Sequence, residues 1–194
     1  MAHGQTPSQT VGPYFAYGLT PEQYGYAYGS VFGPVLARPH AHGAHIRIIG
    51  QVLDGEGTPI DDALVEILHA DAAGRYVTSA AQAEADGFAG FGRCGTGASA
   101  HREFVFDTVK PGAADGEAPH VDVIVTMRGL LSHAFTRLYF PDEAQANARD
   151  PLLQAVPAAR RDTLVARRLD LPGGVVYRFD IHMQGARETV FLDL

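Results

Sequence analysis

Apolar and polar positions alternate in short blocks along most of the chain, and turn-forming residues separate the blocks. Phe104 and Phe106, then Val121, Val123 and Val125, fall at every second position, as one face of a pleated strand requires. Ala44–Leu53 reads as a first strand, closed by the turn chemistry of Asp54-Gly-Glu-Gly57 and Pro59. Ala63–Ala70 reads as a second, closed by Asp71-Ala-Ala-Gly74. Further strands are expected over 102–109, 120–128, 134–140, 175–184 and 188–193, with residues 81–100, rich in Ala and Gly, as loop. One short helix is expected over Pro157–Arg168, where proline suits the first turn and the basic end suits the helix dipole. This pattern predicts an all-β fold, a β-sandwich.

The first 43 residues differ from the rest. Tyr14, Phe15, Tyr17, Tyr24, Tyr26, Tyr28 and Phe32 are interleaved with Gly12, Gly18, Gly25, Gly29 and Gly33, without an apolar period. Such a stretch is expected to be neither a regular helix nor a core strand. The expected division is an N-terminal arm over 1–43 and a sandwich domain over 44–194. Aromatic rings on a loose backbone suit docking onto another surface. They equally suit an arm folded back over its own domain, and the residues leave both readings open.

Composition strengthens this picture. A chain of 194 residues suits one domain with an arm, and Gly 22 with Pro 12 exceeds the usual load of roughly 12%. The net charge of -7 argues against a nucleic-acid partner, whose phosphates need a basic surface. No apolar run approaches the roughly 20 residues that cross a membrane, and Met1–Thr10 shows no secretory signal, so the chain reads as cytoplasmic. Cys94 is alone, which excludes an intrachain disulfide and a cysteine zinc cluster, and it reads as a small inert side chain. His40, His42 and His45 put three imidazoles within six residues, a pattern that suits Zn or Ni. They lack a nearby carboxylate or cysteine, so junction residues are the preferred reading. There is no phosphate-cradling loop and no Gly-x-Ser-x-Gly elbow.

Several stretches carry more information together than apart. They are Thr6–Phe15, Gly50–Pro59, Ala63–Asp71 with Gly74-Arg-Tyr76, Thr108–Gly112, Thr136–Phe140, Tyr177–Ile181 and Thr189-Val-Phe191. In this order, over nearly the whole chain, they resemble the intradiol ring-cleavage dioxygenases. The resemblance implies a sandwich around a non-haem ferric ion held by two tyrosine phenolates and two histidines. Fe(III) is a hard acceptor and phenolate a hard donor, and the ion's charge strips the phenol proton at neutral pH.

Matched onto this chain, the four ligand positions are Tyr76, Ala114, His120 and Asp122. Ala114 stands where the second tyrosine belongs and Asp122 where the second histidine belongs. Glu117 lies near the place where catalytic members carry an arginine. The resemblance therefore implies an alpha-type subunit without its own metal, completed by a related beta subunit that holds Fe(III). Protocatechuate and O2 are the implied substrates. In such an assembly the arm and one arginine line the shared substrate pocket, which assigns Thr10, Gly12, Pro13, Tyr14 and Arg128 to substrate binding. Two alternatives stand beside this: a sandwich that serves only as an interaction module, and an independent enzyme using Tyr76, His120 and Asp122.

Overall fold

The computed structural model describes residues 9–193. The first eight residues of the expected arm, including Thr6 of the opening motif, lie outside the described residues. Nine strands form: β1 (His45–Leu53), β2 (Leu64–Leu68), β3 (Phe91–Gly95), β4 (Glu103–Val109), β5 (His120–Thr126), β6 (Ala134–Tyr139), β7 (Arg167–Leu171), β8 (Gly174–Arg178) and β9 (Ile181–His182). One sheet has the order β4-β1-β8-β7, with β9 paired to β1 beyond β8; the other is β3-β2-β5-β6. Strict alternation explains how they pack. Ile46, Ile48, Phe104 and Phe106 of the first sheet meet Val65, Ile67, Val121, Val123, Val125 and Leu138 of the second in one core. The expected all-β sandwich is what the chain forms.

The expected 175–184 strand breaks in two. Phe179 N donates to Ile49 O, and Asp180 then turns its carboxylate back to accept from Gln51 N at 3.1 Å. This puts the Phe179 carbonyl against Gly50, where a Cβ would lie 1.8 Å from its oxygen. Only glycine permits that approach.

Three expectations are corrected. Residues 157–168 form no α-helix: Ala158–Leu164 is a 3-10 turn, and Arg167 and Arg168 enter β7. Pairing with β8 wins there, and Arg168 reaches Asp142 and Asp170 rather than a helix end. Residues 81–100 hold structure after all, since Ala80–Asp86 is helical and is followed by β3. Ser79 caps that helix by accepting from Gln82 N, and Gly87 closes it at φ 65°. The 188–193 stretch makes only a single bridge, Phe135 to Leu192, instead of a strand.

The arm, expected to hold no regular helix, forms the short α1 (Phe15–Leu19), and in place of the one expected helix there are, with Ala80–Asp86 as α2, also α3 (Ala144–Asn147) and α4 (Pro151–Ala155) among the described residues. The chain from α3 through Leu164 packs Leu153, Val156 and Leu164 on Tyr139 and Ala118, a second small core. Leu138 faces the sandwich interior, so this second core lies on the outer side of β6.

Residues 33–37 touch both sheets at their edges. Arg93 N in β3 donates to Gly33 O, while Leu36 N and Asp107 N exchange bonds with Asp107 O and Pro34 O beside β4. Leu36, Ala37 and Ala41 belong to the main core. Among the described residues, no helix is long and apolar enough to cross a membrane.

His69 ties the two sheets together from within. It is fully buried; its Nδ1–H donates to Ala70 O at 2.7 Å, and the Thr108 hydroxyl donates to Nε2 at 2.9 Å. Burial lowers its pKa to about 4. The unfolded chain, with an ordinary histidine, takes up the proton first as pH falls, so the contribution is whole above about pH 6.5 and drains away towards pH 4. It amounts to ~3 kcal/mol. Urea unfolding of the wild type and His69→Gln across pH 7 to 4.5 checks this: the wild type's stability should fall more steeply, and parallel curves would disprove it.

Candidate functional site

Alternation sets the site. With Val121, Val123 and Leu138 turned to the core, His120, Asp122, Arg137 and Tyr139 share the outer face of β5 and β6. The register pairs His120 with Tyr139 and Asp122 with Arg137. Asp150, the buried N-cap of α4, fixes the surroundings. Its Oδ1 accepts from the Tyr139 hydroxyl and Leu153 N, and its Oδ2 accepts from Ala118 N. Ala118 in turn presents its carbonyl to His120 Nδ1 at 2.8 Å.

Two loops bring up the remaining positions. The Gly74 φ of +79° and its closeness to Ala113 O, 2.0 Å from where a Cβ would lie, admit only glycine. Gly112 N donates to Asp71 O, which locks the 71–76 turn to the 112–114 segment. Tyr76 is half-buried there, and Ala114 is buried. Burial first, and then Asp122, push the Tyr76 phenol above its ordinary pKa.

The centre of the cluster is Arg137, a residue the sequence reading did not single out. Its side chain is 12% exposed, its Nε donates to Asp122 Oδ1 at 2.7 Å, and its Nη1 donates to Glu117 Oε2 at 2.9 Å. Burial works to discharge the guanidinium, but Tyr139 and Asp122 outweigh it and its pKa is raised. The signal in the sequence was the charge at Arg137 flanked by the inward Thr136 and Leu138, opposite Asp122 in β5.

These residues do not fit a ferric ion held by phenolates. Ala114 offers no donor atom, Asp122 stands where a histidine is expected, and its Oδ1 is already taken by the Arg137 guanidinium. Among the described residues, no three His, Cys, Asp or Glu side chains form a metal-binding group.

The other assigned residues lie elsewhere. Gly129 N donates to Thr10 Oγ1 at 2.8 Å, so the arm's start is tied beside Arg128. The Arg128 guanidinium is 56% exposed and pairs with Asp62, whose own side chain is only 9% exposed. Gly12 O accepts from Phe15 N at the head of α1, following which Ala16, Thr20 and Pro21 are buried. Tyr14 is 74% exposed, edge-on to Tyr17, which stacks edge-on to Tyr24 at 4.1 Å. The arm thus rests on β3, where Gln23 accepts from Gly95 N and donates to Cys94 Sγ. It leaves Tyr14, Tyr26 and Tyr28 outward around a cleft of about 370 Å³.

Cys94 is buried, and burial raises its pKa, so it is no nucleophile. Of the three clustered histidines, His45 Nε2 bonds Ala41 O and His40 packs over Gly87, while His40 and His42 both line one small cleft with Asp71 and Asp86.

Comparison with known proteins adds lineage to this geometry. A family model described as dioxygenase matches residues 34–124. The protocatechuate 3,4-dioxygenase alpha chain of Burkholderia cepacia is 59% identical over 193 residues, 98% of each chain. The beta chain named for the same enzyme in that organism is 37% identical over 161 residues, 76% of this chain and 67% of its own. A solved dioxygenase domain, from a dioxygenase carbohydrate-binding protein fusion of Streptomyces sp. SirexAA-E, is 22% identical. It matches with a TM-score of 0.60 over 93% of this chain and 100% of that one, which speaks to the fold alone. Identity of this order over almost all of both chains places the protein in the intradiol ring-cleavage dioxygenase family, in the branch of the protocatechuate 3,4-dioxygenase alpha chains.

Proposed function

We propose that this chain is the iron-free subunit of a two-chain intradiol dioxygenase in the cytoplasm. Its partner is a related beta chain that holds Fe(III), and together they cleave protocatechuate with O2 to 3-carboxy-cis,cis-muconate. The observation that carries this reading is the pocket at Tyr76, Ala114, His120 and Asp122. A methyl group stands at one expected donor position, and Asp122, at another, is bonded to Arg137, which also holds Glu117. The similarity to both an alpha and a beta chain supports the pairing of two related sandwiches.

In the assembly, the ferric ion of the beta chain supplies the activation of the catechol towards O2. The work of the present chain is binding and positioning. The substrate carries a carboxylate, and Arg128 offers a guanidinium that is already held in place by Asp62 and is open to solvent on its other side. The bond from Gly129 N to Thr10 keeps the arm beside that charge. Gly12, Pro13 and the exposed Tyr14 then form a short wall that narrows the pocket and excludes water from the ring.

Two outcomes check this. Expressed alone, the chain should bind no stoichiometric iron and open no catechol ring; with a beta chain it should give a coloured, active complex. An iron-loaded, active assembly of this chain by itself would overturn the assignment. In the complex, Arg128→Ala should raise KM for protocatechuate about tenfold, the loss of one charge-assisted hydrogen bond, with a smaller effect on kcat. Tyr14→Ala should raise KM less. Steady-state kinetics with unchanged KM in both variants would remove these residues from the pocket.

A further inference from the structure

Arg128 is the second residue of a turn that follows β5: Leu130 N donates to Met127 O, and Gly129 takes a φ of +91°. Met127 packs on the main core, but the guanidinium beyond it is 56% exposed. A long cationic side chain that swings free must be ordered when a ligand captures it, and affinity suffers by that amount.

Asp62 removes that freedom. Its Oδ2 accepts from Arg128 Nε, and its own side chain is only 9% exposed. The loop that carries it is held on both sides by the fully buried Thr96, whose hydroxyl donates to Ile60 O and accepts from Ala63 N. Gly97 packs so close to the Asp61 carbonyl that a Cβ would lie 2.3 Å from its oxygen. Asp62 is therefore a fixed post rather than a loose surface carboxylate. The choice of nitrogen also matters. With Nε given to Asp62, Nη1 and Nη2 have no partner among the described residues. The two N–H groups at that end of the fork run parallel, the arrangement that grips a carboxylate through both oxygens.

We propose that Asp62 is a positioning residue for the carboxylated substrate: by holding Arg128 through Nε, it presents the Nη1 and Nη2 end to the substrate carboxylate. The inference rests on the placement of Arg128 in the substrate pocket and adds what sets the direction of its guanidinium. Asp62 itself touches no substrate. Its negative charge offsets part of the arginine's long-range attraction, so its contribution is direction and order rather than added charge. The bond from Gly129 N to Thr10 Oγ1 ties the arm to the same turn, which keeps the oriented fork and the wall of the pocket in one frame.

The experiment uses the complex with a beta chain and compares Asp62→Ala, Asp62→Asn, Arg128→Ala and Asp62→Ala/Arg128→Ala. Steady-state kinetics give KM and kcat, and equilibrium dialysis without O2 gives Kd for protocatechuate and for catechol, which lacks the carboxylate. Asp62→Ala should raise KM and Kd for protocatechuate about threefold, less than Arg128→Ala does, with a smaller effect on kcat. Its preference for protocatechuate over catechol should fall by the same factor. Asp62→Asn, which keeps an acceptor for Nε, should lose less. The double variant should match Arg128→Ala alone, since without the guanidinium nothing remains to be positioned. Additive losses in the double variant, or a KM unmoved by Asp62→Ala while Arg128→Ala raises it, overturn the positioning role and leave Arg128 in the pocket. No change in any variant removes Arg128 from the pocket and the role of Asp62 with it. If Asp62→Ala does not fold, Asp62→Asn and its double variant with Arg128→Ala decide the matter by the same comparison.

Discussion

Charges that leave water must be matched close at hand, and this requirement organises the outer face of β5 and β6. Arg137, Asp122 and Glu117 are drawn out of solvent by the packing of α4 and the loops on Tyr139 and Ala118. The guanidinium, the more buried partner at 12% exposed, is neutralised by these two half-buried carboxylates. The arginine thus joins β6 to β5 and to the Glu117 loop through one half-buried ion-pair cluster. The geometry of the surrounding shell follows: Asp150 gathers the Tyr139 hydroxyl and the Ala118 amide, and Ala118 orients His120.

The pocket and the arm then describe two different kinds of site. One is half-buried and filled by its own side chains. The other is open, with aromatic rings and the Arg128 guanidinium directed outward from elements that the sandwich holds firmly. On the proposed two-chain reading, the second kind is the one that would meet the carboxylated ring, since positioning it needs a fixed charge and a wall.

Much of this was legible in the sequence because strands obey a period of two. The alternation at Val121, Val123 and Val125 located β5 and, by exclusion, placed His120 and Asp122 on the opposite face. The same rule applied to Thr136 and Leu138 would have found Arg137. Pairing between strands was the missing knowledge, since a charge in β6 gains meaning only from the residue across from it. The helix at 80–86 hid among alanines and glycines, although Ser79, Gln82 and Gly87 are a cap at each end. The 157–168 segment misled for the opposite reason: its local helical character was real but weaker than the edge of β8, which took Arg167 and Arg168 into a strand.

The segment at 33–37 carries a further implication. By bonding to Arg93 in β3 and to Asp107 in β4, it seals an open margin of each sheet with the same few residues. The polypeptide that carries the aromatic rings is therefore continuous with the clasp of the sandwich. Trimming the chain at the sequence-level boundary near residue 43 would strip away both at once, baring two raw β-margins to any neighbouring chain. The exposed tyrosines of the arm are thus covalently tied to the hem that holds both sheet margins.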